Sequence, residues 1–447
     1  MIDDGLRGRL EEARAQLRQH LTEGIVPFWL DRAIDKECGG YHADFDGEGR
    51  PIPGPGDKYI VAQARLLWAF SRFARSGVGD TARLEEAARY GFAFFAGHFH
   101  DECRGGWHWR VDRAGHVLDG AKLMYGQSFA LYAVSEYAIA TGDPAARALA
   151  EATFDDLVAR ALDGRYGGYL ENFDADWLPA AGGSAAGDRK SLDIHLHLLE
   201  AFTRLTQLTE GELHARRLAE VRDVILGHMI DGESGAGGTQ YDLAFRPLPP
   251  IVIDRTWVAE RPAERPAGAT DAGASGTDSI GVGTSHAEPA RVVGETSYAH
   301  NLELGWLLAL ADDVLGQPGA HNAEIVRFGE HALRWGTDPD YGGVYRDGPF
   351  FGPASDTDKE FWQNAEAMPG FLQTYASSGD PRFLEAFLGV WGFVRRHLIN
   401  PTVGEWHTRT TAAGGLLVAD IGGPWKVCYH SGRATLEAIG RLDAILA

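Results

Sequence analysis

Cysteine is scarce in this 447-residue chain. Cys38, Cys103 and Cys428 are too few and too far apart for a disulfide framework or a zinc ribbon, so they read as free thiols of a reducing compartment. No run of about 18 apolar residues occurs, and Met1-Ile2-Asp3-Asp4 opens into a charged helical pattern without the apolar core of a signal peptide. A cytoplasmic protein with no membrane partner is expected. Basic charge is also short: 42 Lys and Arg face 63 Asp and Glu, a formal charge of −21. That balance excludes nucleic acid as a partner, because affinity for it comes chiefly from cations on phosphates. No serine or cysteine sits in a GxSxG elbow and no HExxH is present, which removes two familiar routes to hydrolysis.

Glycine, in contrast, is abundant: 57 residues, where about 7% of a chain is ordinary. Much of the excess recurs in a pattern. A Gly-Gly pair followed by an aromatic appears at Gly39-Gly40-Tyr41, Gly105-Gly106-Trp107, Gly167-Gly168-Tyr169, Gly237-Gly238-Thr239-Gln240-Tyr241 and Gly342-Gly343-Val344-Tyr345, with a degenerate copy at Gly404-Glu405-Trp406. The first glycines are 66, 62, 70, 105 and 62 residues apart, so only the fourth unit is long. A repeat of this kind sets the architecture, because each unit must bury its apolar face on its neighbours.

Between the glycine loops, apolar residues recur at helical spacing in pairs of segments. The reading is twelve helices, at 4–22, 58–75, 82–98, 121–141, 144–161, 190–209, 212–230, 296–315, 320–336, 359–378, 381–398 and 426–446. Those that follow a loop, such as 194–205, are apolar on most sides and form an inner ring. Those such as 84–99 carry a polar stripe and form an outer one. The fold expected is an all-α (α/α)6 toroid, a single catalytic domain spanning 1–447, with short β-hairpins at its mouth. Residues 260–291, rich in Ala, Gly, Pro, Ser and Thr, read as a flexible insertion or a substrate lid.

Polar residues gather near the starts of the inner helices: Arg65, Tyr125, Gln127, Asp193, His197, His300, Glu303, Trp362, Glu366, His430 and Arg433. Arg65, Gln127, His197, Glu366 and His430 lie 26, 22, 30, 24 and 26 residues beyond their loops, which implies one shared level in a central cavity. His195 and His197 point to opposite sides of a helix and cannot share a metal ion. No metal and no cofactor is expected. Three imidazoles, an arginine and a glutamate in an aromatic setting suit acid/base chemistry beside a sugar carbonyl. Trp68, Trp107, Trp109, Trp362, Trp406 and Trp425 are candidates to stack on sugar rings, or to serve as core.

Four blocks in order carry a resemblance: Lys190-Ser191-Leu192-Asp193-Ile194-His195-Leu196-His197-Leu198-Leu199-Glu200-Ala201, Ser297-Tyr298-Ala299-His300-Asn301-Leu302-Glu303, Phe361-Trp362-Gln363-Asn364-Ala365-Glu366-Ala367 and Trp425-Lys426-Val427-Cys428-Tyr429-His430-Ser431-Gly432-Arg433. The chain resembles the N-acylglucosamine 2-epimerase superfamily, particularly its cellobiose and mannose 2-epimerase branch. The resemblance implies His300 and His430 as the acid/base pair, His197 as a third imidazole and Arg65 facing the sugar oxygens. It also implies Glu303 and Glu366 as orienting carboxylates, Trp362 and Trp425 as stacking platforms and Tyr125 as a wall. Asp193 stands where the family usually has Asn, Phe361 where it has a second Trp, and Asn364 near a usual Gln. Four residues before His197 on the same helix face, Asp193 should favour a protonated His197 and make it a better donor to a sugar oxygen.

The function expected is cofactor-independent interconversion of gluco and manno configurations at C2 of a reducing-end aldose, either a cellobiose-type disaccharide or free mannose and glucose. An aldose–ketose isomerase and an N-acylglucosamine 2-epimerase are the alternatives within the superfamily. An inverting glycoside hydrolase using Asp44, Asp112 or Glu171 is one from another class, and a non-catalytic sugar-binding protein is a second. The partner is a small sugar, and the chain is a monomer or homodimer.

Overall fold

In the computed structural model, the residues described are 2–180, 187–249, 252–253, 291–292 and 294–447. The expected insertion lies outside them but for its final residue. The first helix, α1 (Asp4–His20), passes through a π turn at Leu21–Ile25 into α2 (Val26–Arg32). This rod is longer than the 4–22 expected. Gly24 and Pro27 look like stop signals, but the π turn absorbs them and the chain stays helical.

The other helices are α3 (Ile60–Arg75), α4 (Thr81–His98), α5 (Met124–Thr141), α6 (Pro144–Ala161), α7 (Leu192–Thr209), α8 (Glu212–His228), α9 (Tyr298–Val314), α10 (Asn322–His331), α11 (Phe361–Ser378), α12 (Arg382–Phe393) and α13 (Cys428–Leu446). Counting α1 and α2 as one rod, there are twelve among the described residues. Local signals start and stop them: Asp80 and Asp143 cap α4 and α6, Pro144 takes the first position of α6, and left-handed Gly142 and Gly379 end α5 and α11.

Packing follows burial. Helices α3, α5, α7, α9, α11 and α13 bury most of their length and pack in that order, with α13 returning to α3. Each is backed by an outer helix, α4 behind α3 and so on to α1 behind α13. The (α/α)6 toroid is thus closed. Its seam needs glycine: a Cβ on Gly24 would lie 2.5 Å from the Gly404 carbonyl oxygen, and one on Gly422 2.1 Å from that of Ala43.

Each glycine loop is a latch. Asp35, Asp101, Asp163, Asp231 and Asp338 accept N–H bonds from their own loops, as does Asn400 in the last. Four of these carboxylates pair with a buried lysine just ahead of the inner helix: Lys58 at 3.0 Å, Lys122 at 2.9 Å, and Lys190 and Lys359 at 2.7 Å. A second tie runs from the inner helix to the loop. The amides of Tyr41, Trp107, Tyr169, Gly237 and Val344 donate to Gln63, Gln127, His195, Asn301 and Asn364. This register corrects the fourth repeat to Gly235-Ala236-Gly237, with Gly237 in the aromatic position. It also removes Gln127 from the cavity level, since its amide is spent on Trp107. Short strands then staple neighbours: Lys58–Tyr59 pairs with Arg110–Val111, and Lys359–Glu360 with Arg409–Thr410. Pairing thus runs between units as well as in hairpins within the loops, where Arg110–Val111 meets Val117–Asp119 and Arg409–Thr410 meets Leu416–Val418.

Candidate active site

The ring encloses a cavity of about 370 Å³. Five residues into each inner helix stand Arg65, Phe129, His197, Glu303, Glu366 and Arg433, one per unit; Arg65, His197 and Glu303 border the cavity and the others lie beneath it. Tyr125, Asp193, Trp362, His300 and His430 come from the first turn of their helices and stand nearer the mouth. Loop residues Trp109, Glu171, Thr239, Arg346 and Thr408 border the same space.

Of the ten expected site residues, nine border this cavity and the tenth, Glu366, lies directly behind His430. Of the six candidate tryptophans, Trp109, Trp362 and Trp425 border it, whereas Trp68, Trp107 and Trp406 are core, each at most 1% exposed.

One buried cation organises the floor. The guanidinium of Arg433 donates to Glu200, to Glu303 and, at 2.7 Å, to Glu366. Two of those carboxylates reach imidazoles on the other side: Glu366 accepts from His430 Nδ1 at 2.8 Å, and Glu200 lies 3.3 Å from His197 Nδ1. Tyr429 adds its hydroxyl to Glu200 at 2.7 Å. Glu200 and Tyr429 were not among the expected site residues. Their signal was present, as a glutamate on an apolar helix face and a tyrosine next to a site histidine. Glu303, Glu366 and His430 bring ligand atoms within 4.8 Å of one another, but both carboxylates already neutralise Arg433.

The imidazoles differ in charge state. Burial and the cations Arg65 and Arg433 push His430 well below the ordinary histidine value. Burial alone would do the same to His197, but Asp193 at 3.2 Å from Nε2 and Glu200 at Nδ1 raise it to about 9. The expected effect of Asp193 on His197 is present. Both of its ring nitrogens face carboxylate oxygens, at 3.2 and 3.3 Å. Asp193 Oδ1 also lies 3.5 Å from His300 Nε2. Burial and the neighbouring Glu366 raise Glu303 to about 7.

Arg65 is 2% exposed and forms no ion pair among the described residues. It is held by the Trp425 carbonyl at 2.5 Å, by the Tyr125 hydroxyl at 2.9 Å and by the face of Phe129 at 4.3 Å. A buried guanidinium without a counter-ion at a cavity wall is a site for developing negative charge. The Trp362 ring lies 4.7 Å from His300 and 5.8 Å from His430, so both histidines flank one flat surface.

Two candidates for hydrolysis are committed elsewhere. Asp112 accepts the His116 amide in an exposed turn, and Glu171 accepts the Ser191 hydroxyl at 3.0 Å.

The family model for N-acylglucosamine 2-epimerase (GlcNAc 2-epimerase) matches residues 39–260 and 295–434. The chain belongs to this family. It is 28% identical to a cellobiose 2-epimerase of Bacteroides fragilis over 96% of this chain and 99% of that protein. It is 25% identical to the human N-acylglucosamine 2-epimerase over 99% and 92%. Among solved structures, the cellobiose 2-epimerase of Spirochaeta thermophila superposes with a TM-score of 0.82 at 29% identity, covering all of both chains. The chain is thus a carbohydrate 2-epimerase, an isomerase whose substrate is a small sugar. No helix among the described residues is long and apolar enough to cross a membrane.

Proposed function

We propose that this enzyme inverts C2 of a reducing-end aldose by proton transfer between His430, His300 and an enediolate, with no cofactor. The observation that carries this is the pair of imidazoles, from helices two units apart, that flank Trp362 in one cavity beside the buried Arg65. With Nδ1–H donating to Glu366, His430 presents the lone pair of Nε2 and is neutral at physiological pH, which is what a general base requires. After ring opening it removes the C2 proton, which the C1 carbonyl acidifies. Charge then develops on O1 and O2, opposite Arg65. Reprotonation by His300 from the other face gives the epimer, whereas return of the proton to C1 would give a ketose.

His197, clamped between Asp193 and Glu200, serves as a fixed cation that positions its neighbours. Trp362 and Trp425 are the stacking platforms and Tyr125 the wall beside Arg65. A cellobiose-type β-1,4 disaccharide is the substrate favoured, with free mannose and glucose next, because the relatives of both kinds of comparison include cellobiose 2-epimerases. The reading includes a single catalytic domain, acting in the cytoplasm as a monomer or homodimer, with neither nucleic acid nor membrane as partner. The test is incubation with cellobiose, mannose, mannobiose and N-acetylmannosamine in deuterated water, followed by NMR. Deuterium at C2 of an epimerised aldose is expected. A dominant ketose would reassign the enzyme to aldose–ketose isomerisation.

A further inference from the structure

Among the described residues, five carboxylates border the cavity, and four of them are closed off: Glu171, Glu303, Asp347 and Glu360 are at most 5% exposed. Asp193 keeps 39% of its side chain open. Its Oδ1 is buried against the two imidazoles, 3.2 Å from His197 Nε2 and 3.5 Å from His300 Nε2. The open face is therefore the one carrying Oδ2. Among the described carboxylates that line the cavity, this is the accessible one, and an ionised carboxylate accepts hydrogen bonds but donates none.

The groups facing it are His197 from its own helix, His300 from α9, Arg65 from α3 and Tyr125 from α5. Burial would raise its pKa, but His197, His300 and Arg65 outweigh that and hold it down at about 2, so the carboxylate is ionised at any working pH.

An ionised carboxylate cannot sit against the oxygens that become negative. On the reading given above, O1 and O2 carry the enediolate charge and belong opposite Arg65, while His300 works at C2. The carboxylate beside His300 must then meet the other neighbour of C2. We infer that Asp193 is a specificity-determining residue that accepts the C3 hydroxyl of the sugar and requires a donor there. This rests on the C2 chemistry proposed above and adds to it a substrate requirement.

The experiment compares the reducing sugar that the enzyme epimerises with its 3-deoxy and 3-O-methyl derivatives, on wild type and Asp193→Asn. In wild type both derivatives should lose about 100-fold in kcat/KM, since a hydrogen bond to a charged acceptor is lost and the acceptor is left unpaired. In Asp193→Asn the amide can donate to the ether oxygen, so the 3-O-methyl penalty should fall to less than about tenfold. The 3-deoxy sugar, with no oxygen to meet, should not recover. If the variant does not fold by circular dichroism, the wild-type ratios decide alone. Equal turnover of parent and 3-deoxy sugar overturns this inference and leaves the epimerase intact. Failure of wild type to epimerise any parent sugar overturns the function and the inference together.

Discussion

Two buried imidazoles at one cavity are driven in opposite directions, and their neighbours explain the difference. His430 has one carboxylate, Glu366, whose charge is shared with Arg433, and burial with Arg65 and Arg433 keeps the ring neutral. His197 is as deeply placed, but carboxylates face both of its nitrogens and it holds its proton. The residue type is the same. The number of carboxylates facing the ring decides which can act as a base and which is a fixed charge.

The largest effect that can break this contrast is chemical. His430→Ala should lower kcat by about 10²–10⁴, the usual worth of a positioned acid/base group, and steady-state kinetics with KM reported separately would show it. Retained activity would remove His430 from proton transfer. Next comes the shared counter-ion. Arg433→Met removes the guanidinium shared by Glu200, Glu303 and Glu366, leaving His197 as the cation beside Glu200, and breaking a buried pair in this way costs about 3–5 kcal/mol. Urea unfolding should report a loss of that order. An unchanged midpoint would show that the three carboxylates protonate at little cost.

The pH dependence of stability sharpens the same contrast. His197 has a folded value of about 9, against about 6.5 when unfolded, so its contribution is complete below pH 6.5 and is lost as pH rises through 9. For His430, lowered on folding, the sign is reversed, and stability is lost as pH falls through about 6.5 because only the unfolded chain takes up the proton. His197→Gln should flatten the alkaline slope of stability and His430→Gln the acid slope, measured as urea midpoints from pH 5 to 10. Identical slopes in both variants would erase the distinction.

Much of this was legible in residues that repeat. The Gly-Gly-aromatic spacing led to six units, and the polar residues on the first turns of apolar helices led to a common cavity, because burial of such groups is costly without a purpose. What could not be read was register and commitment. Gln127 and His197, 22 and 30 residues beyond their loops, are both expected at one cavity level, yet one is spent on a backbone amide and the other faces the cavity. The difference is two positions along a helix, about 200° of rotation, which loop spacing does not resolve. Nor does sequence show that Glu200, eight residues into α7, would meet Arg433 of α13 across the ring. Such contacts depend on closure, which no local pattern encodes.

The smallest effect concerns a histidine two residues from His197 that does none of this chemistry. His195 Nε2 accepts the Tyr169 amide at 3.1 Å, and Nδ1 donates to the Ser191 carbonyl at 2.9 Å. In the first and second units, Gln63 and Gln127 do the corresponding work, each accepting a loop amide and returning an N–H to the loop carbonyl. His195→Gln should therefore leave kcat unchanged and cost less than about 1 kcal/mol, while His195→Ala, which strands a buried amide, should cost about 1–3 kcal/mol. Thermal unfolding and kinetics on the two variants check both statements. A loss of kcat in the glutamine variant would mean that this ring communicates with the site through α7, and that the division between working and structural histidines has been drawn in the wrong place.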